Sequence, residues 1–171
     1  MDISRRSLIG ATGALLLMSR AGQARASIAS EHWGEFRQIF ARHWHGGGIA
    51  SSEGTENGKL PLELDIDLIP DDDMRFSGQL QMRSRWDTGT YTARYAISGY
   101  CWSEDSATGI YIEQTSLFTA DDLPSNLYWQ GLTGKLQLYI QQGAEGHWLL
   151  DGTLYGTRDS NAFHTQVADH Y

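Results

Sequence analysis

His43 and His45 bracket Trp44. In an extended segment, side chains two residues apart leave the backbone on the same side, so the two imidazoles could share a metal ion. A third ligand would come from His32, His147, His164, His170 or a carboxylate. The plainer expectation for such a pair is a helix end, where histidines cap carbonyls or face solvent. Glu63, Asp65 and Asp67 repeat the spacing with carboxylates. Such a row supplies a general acid and base, or holds a cation, where it lines a cavity. Here the intervening residues Leu62, Leu64, Ile66 and Leu68 form the apolar row. The carboxylates are therefore expected to face solvent, partly paired with Arg75, and Asp71, Asp72 and Asp73 to form a solvated hairpin loop.

No nucleophile-base pattern designates a catalytic residue. His45-Gly46-Gly47-Gly48 resembles the oxyanion loop of esterases, but the chain has neither their Gly-x-Ser-x-Gly elbow nor their βα alternation, and the glycines are expected simply to end a helix. Cys101 is the single cysteine, which excludes an intramolecular disulfide. It shares a strand register with Tyr95 and Ile97 and reads as a small buried hydrophobe. Aromatic residues are the remaining resource. Tyr95, in the buried register, and Trp102, Trp129 and Trp148, each beside a turn, are the candidates to line a pocket for an apolar or cyclic ligand. The alternative is that they fill the interior or pair across strands on the outside.

The elements that must position these residues follow from periodicity. Trp33, Phe36, Phe40 and Trp44 recur at helical spacing, predicting one amphipathic helix from Ser30 to Trp44 with Ser30 as N-cap and its aromatic stripe packed on a sheet. Alternation over Leu62 to Leu68 and Met74 to Met82 predicts two strands. One register pairs Leu68 with Met74 and Asp67 with Arg75, leaving Ile69 to Asp73 as the loop; parity permits a two-residue slip but not a one-residue one. Further stretches near Tyr91 to Trp102, Gly109 to Phe118, Leu127 to Ile140 and His147 to Arg158, a short strand after Gly48 and another near Phe163 bring the count to seven or eight. The apolar phase flips between Trp129 and Leu132, which predicts a bulge or turn at Gly131 or Gly134. The expected fold is mainly β: an antiparallel meander closed into a barrel, with one N-terminal helix. A helix followed by a meander ending in Trp148-Leu149-Leu150-Asp151-Gly152 resembles a calycin or lipocalin-type barrel in general layout, without a signature of any one family.

Arg5 and Arg6 precede the short apolar run Leu8 to Met18, and Ala24-Arg25-Ala26 follows it. This arrangement resembles a twin-arginine export signal and implies cleavage after Ala26 and a periplasmic location; an ordinary secretory signal is the alternative. The run is too short to span a bilayer. Residues 27–171 then form one domain with 20 acidic against 9 basic side chains, a formal net charge of −11. That surface repels phosphate backbones and anionic lipid, which makes nucleic acid and membrane surfaces poor candidates for partners; no nucleic-acid binding and no stable membrane insertion are expected. The function expected is a non-enzymatic periplasmic barrel that binds a small ligand or another envelope protein and uses no cofactor. The alternatives are a small hydrolase or isomerase with acid-base groups from His43, His45 and the carboxylates, and a metal-binding protein.

Overall fold

The computed structural model describes residues 32–51, 59–86, 88–104, 107–124, 127–140, 147–159 and 161–170. The expected export signal and Ser30 lie outside them. Helix α1 (Trp33–Phe40) is followed by eight strands: β1 (His43–Ser51), β2 (Lys59–Pro70), β3 (Arg75–Trp86), β4 (Gly89–Glu104), β5 (Ala107–Ala120), β6 (Leu132–Ile140), β7 (Trp148–Gly156) and β8 (Ala162–His170). Each strand pairs antiparallel with its neighbour in sequence, and β1 closes onto β8. The fold is thus a closed antiparallel barrel with one helix near the N-terminus.

Period-two alternation explains what fills it. Leu62, Leu64, Ile66 and Leu68 of β2 point inward, as do Phe76, Leu80 and Met82 of β3, Tyr95, Ile97 and Cys101 of β4, Leu132, Leu136 and Leu138 of β6, and Leu150 and Leu154 of β7, all buried. An eight-stranded barrel has an interior just wide enough for side chains to fill. The outward rows carry Glu63, Asp65, Asp67, Arg83 and Arg94, the reverse of the pattern by which a transmembrane barrel presents apolar side chains to lipid. Among the described residues no helix is long and apolar enough to cross a membrane.

Helix α1 sits at the barrel end that holds the β2–β3 turn. Trp33 and Phe40 are buried, with Phe36 and Ile39 packed against the core. Trp33 Nε1 donates to the Asp71 carbonyl at 2.8 Å, and Arg37 pairs with Asp72. The helix is shorter than its sequence pattern. Trp44 lies in β1 instead, still buried, with Nε1 3.3 Å from the Phe40 carbonyl. The three glycines do not end the helix; they belong to β1. A Cβ on Gly46 would stand 2.2 Å from the Gln166 carbonyl oxygen, so β1 can approach β8 this closely only without a side chain there.

The β2–β3 register also differs from the expected one. Leu68 pairs with Gly78 and Pro70 with Phe76, a displacement of four residues that keeps every side chain on its expected face. The cause is the turn. Asp71 N donates to the Arg75 carbonyl at 2.8 Å, while Asp71 Oδ1 accepts the amides of Asp73 and Arg75, each at 2.9 Å. Met74 takes a φ of 60°, a left-handed conformation uncommon outside glycine. β6 begins at Leu132 rather than Leu127, so the phase flip near Gly131 marks the start of a strand rather than a bulge. The bulges lie in β5. Its register against β4 shifts at Arg94/Tyr95 and at Ser98/Gly99, leaving Phe118 and Glu113 as extra residues. The signal for them is the step from Ile110 and Ile112 to Thr115 and Leu117 on the apolar side. β5 meets β6 only over Gly109 to Ile112.

Candidate functional site

The four candidate aromatic residues do not converge on one pocket. Tyr95 is inside the wall on β4, 1% exposed, with its hydroxyl buried and without a hydrogen-bond partner. Burial pushes that hydroxyl's pKa well above the usual phenol range. Trp102 and Trp148 lie toward the helix end, at the end of β4 and the start of β7. The Trp102 ring nitrogen donates to the Ile110 carbonyl at 3.0 Å, and Lys135 Nζ sits 4.9 Å from its ring centroid. Trp129 precedes β6 at the opposite end and donates to the Asp121 carbonyl at 2.9 Å. The space at the helix end, lined by Trp33, Phe36, Phe40, Met74 and Cys101 among others, is a cavity of about 10 Å³, the size of one water at most. Burial, and secondarily the Asp71 charge, pushes the Cys101 thiol up to about 12, so at neutral pH it is a protonated, unreactive group.

Polar chemistry collects instead on the outside of the wall, where register dictates it. His43 stands opposite Asp67 and His45 opposite Asp65 across β1–β2; Glu63 faces Arg83 and Asp65 faces Gln81 across β2–β3; Gln81 faces Arg94 across β3–β4. His43 Nδ1 lies 2.8 Å from Asp67 Oδ1, and His45 Nδ1 lies 2.7 Å from Asp65 Oδ1. Gln81 Nε2 donates to Asp65 Oδ2 at 3.2 Å and Gln81 Oε1 accepts from Arg94 Nε at 2.8 Å, while Arg83 Nη1 meets Glu63 Oε1 at 2.6 Å. The result is a hydrogen-bonded band across four strands. Burial, the largest single influence on Asp65, raises its pKa. The His45 hydrogen bond and the charges of His45, His43 and Arg83 together outweigh it and hold the carboxyl below its ordinary value.

The acidic row faces outward as expected, but its cation is not Arg75. The four-residue displacement carries Arg75 toward the helix end, where its Nη2 reaches Glu113 at 2.7 Å. His43 and His45 do leave β1 on the same side, yet each Nδ1 addresses a different carboxylate. Among the described residues no group of three or more His, Cys, Asp or Glu is disposed to hold a metal ion. Paired imidazole and carboxylate can exchange protons, and here the pairs are partly open to solvent, with the His43 and His45 side chains 42% and 39% exposed and that of Asp65 20%.

Two features were not anticipated. A polar groove of about 430 Å³ opens beside this band, lined by Gln81, Arg83, Thr92, Arg94, Thr119 and Asp121, with Ala120 between the last two. Asp121 anchors its edge: its amide donates to the Thr92 carbonyl at 2.9 Å, and its Oδ2 accepts the Thr92 amide at 2.8 Å. At the helix end, the Asp169 carboxylate of β8 is fully buried, paired with Arg42 and accepting the Trp148 amide at 2.8 Å, with His147 Nδ1 at 3.5 Å. Neither has a sequence motif, because each depends on register or on contacts between the ends of the chain.

This geometry defines a class: a closed eight-stranded antiparallel barrel of calycin-like layout, with an apolar interior and a polar outer wall. Compared with known proteins, the chain matches no protein-family model, no curated protein and no solved structure.

Proposed function

We propose that this chain is an exported periplasmic barrel that performs no catalysis and binds another envelope protein through its outer wall. One observation carries the reading: where the space is. Inward side chains such as Ile66, Leu80, Ile110, Leu136 and Leu150 are 0% exposed, whereas the groove of about 430 Å³ lies outside. The resemblance of Arg5, Arg6 and the apolar run after them to a twin-arginine export signal supports the compartment. Photo-crosslinking in the producing cell tests it. A benzophenone side chain at Thr119, in the groove, should give a discrete protein adduct that the same group at His164, on β8, does not. Equal adducts, or none at Thr119, would remove the outer-wall reading.

A small-ligand version is favoured by a different observation. Tyr95 Oη and Ser84 Oγ are buried without partners, and leaving such a hydroxyl unsatisfied costs about 1–3 kcal/mol. A ligand that supplied the missing bonds would copurify, and native mass spectrometry would show its mass on the wild type and lose it in Tyr95→Phe.

A further inference from the structure

Strand β5 is paired along one side and largely bare along the other. It meets β4 from Ala107 to Ala120 but β6 only from Gly109 to Ile112. Among the described residues no other backbone group bonds to the free side of Glu113 to Ala120. Every residue of that stretch except Thr115 is exposed. Proteins usually blunt such an edge with lysine, proline or a cover; Gln114 to Ala120 contains no charge and no proline, and its bulges bend the strand without pairing it.

The surroundings of this seam are apolar. Among the described residues six large hydrophobic side chains are exposed, and four of them, Leu117, Phe118, Tyr128 and Tyr155, belong to β5, to the segment after it and to the end of β7. Those pieces adjoin: a Cβ on Gly131 would lie 1.8 Å from Thr115 Oγ1, and the Thr157 amide donates to the Gly131 carbonyl at 2.9 Å. Leu117 and Phe118 are each about half exposed. Thr115 Oγ1 is buried there without a partner. Exposed apolar side chains gathered beside an unpaired strand edge are a feature of interaction sites, with Tyr128 here held between Arg158 and Asp159.

We propose that the seam between β5 and β6 takes an extended segment of a partner polypeptide, apolar in its middle and basic at its ends, which pairs with the free edge of β5. This rests on the outer-wall reading and names the partner's chemistry; the groove shares Thr119, Ala120 and Asp121 with the same strand. A row of unpaired amides and carbonyls recognises any extended chain, and flanking side chains select among them. Charge selects the ends. Asp121 and Asp122, both exposed, stand at the C-terminal end of the edge, on a body of formal net charge −11 over residues 27–171, so a cationic segment is attracted and an anionic one repelled. A second copy fits less well. Two-fold pairing of β5 with itself would offer no cation to Asp121 and Asp122 of either copy, because Gln114 to Ala120 is uncharged and Arg75 is already paired with Glu113.

The test uses the full chain and a dye-labelled, capped peptide of alternating threonine and valine with a lysine at each end, long enough to span the free edge. Fluorescence anisotropy should show saturable binding, and hydrogen exchange should show new protection over residues 113–120. Replacing the peptide's lysines with glutamate, or methylating alternate peptide amides, should weaken binding by about tenfold or more. Leu117→Lys should weaken it comparably, while Ile69→Lys, at the far end of the barrel, should not. Equal binding of the lysine and glutamate peptides, or no protection at residues 113–120 under saturating peptide, overturns the proposal. So does sedimentation of the wild type as a dimer that Leu117→Lys dissociates, which would assign the edge to a second copy. The crosslink from Thr119 is read separately: a partner adduct there without protection at the edge leaves the outer-wall reading standing and removes this one.

Discussion

Replacing Arg42 with alanine should destabilise the barrel more than any other single change on its surface. The Asp169 side chain is 0% exposed, whereas that of Arg42 retains 23%. Deleting the cation therefore leaves a buried carboxylate with the Trp148 amide at 2.8 Å and His147 Nδ1 at 3.5 Å as its remaining described partners. Breaking a buried pair from one side costs roughly 3–5 kcal/mol, because the surviving charge keeps its desolvation penalty and loses its compensation. Removing the other partner is milder. Asp169→Asn leaves an amide that can still accept the Trp148 N–H, and Arg42 can turn toward solvent, so about 1–2 kcal/mol is expected. Joint replacement, Arg42→Met with Asp169→Leu, should cost less than the sum of the two single apolar changes. Against a total stability of about 5–15 kcal/mol, the Arg42 effect is a large fraction, and the location explains its reach: Asp169 stands opposite Trp44 in the β1–β8 register and holds the first residue of β7. Urea unfolding followed by tryptophan fluorescence measures it, since Trp44 and Trp148 both adjoin the site. A cost below about 1 kcal/mol for Arg42→Ala would refute the reasoning.

Export is expected to depend on the arginine pair: Arg5→Lys with Arg6→Lys should abolish periplasmic accumulation, and unchanged yield would assign an ordinary secretory route. Asp65 has a folded pKa below its ordinary 3.8, so its contribution to stability is fully present above that value and is lost as pH falls through the folded pKa. The urea midpoint of the wild type should therefore drop more steeply between about pH 5 and pH 2 than that of Asp65→Asn; parallel curves would contradict the assignment. The full chain dialysed against zinc should retain no stoichiometric metal; a bound equivalent lost in His43→Ala/His45→Ala would promote the metal-binding alternative.

Face was legible in the chain where position along the strand was not. The apolar rows of β2 and β3 repeat every two residues, so any even displacement buries the same side chains equally well, and only the turn distinguishes one register from another. That turn depends on Asp71 accepting two amides and on Met74 adopting a φ of 60°, a conformation that residue type argues against. The outward orientation of the acidic row was therefore readable, but its cations were not: displaced by four residues, the ladder brings Arg83 to Glu63 and takes Arg75 away, while His43 and His45, expected at a helix end, lie in β1. Trp44 shows the complementary ambiguity. It lies four residues after Phe40, at helical spacing, and in the inward row of β1, so one buried tryptophan satisfies both periods, and the helix was extended through it.

The aromatic candidates failed to converge for a topological reason. Turns flank Trp102, Trp129 and Trp148, but in an up-and-down barrel alternate turns lie at opposite ends. Proximity to a turn says nothing about which end, and these three divide between the two. The places where this molecule can meet another are set by where pairing stops. β5 continues eight residues past its last partner on β6, a stop that the residue pattern does not mark, since the shift of its apolar side from Ile112 to Thr115 records the bulge against β4. With its described inward side chains buried, such a barrel has its outer wall to bind with, and an incomplete seam adds to that wall a strand edge that is unpaired among the described residues.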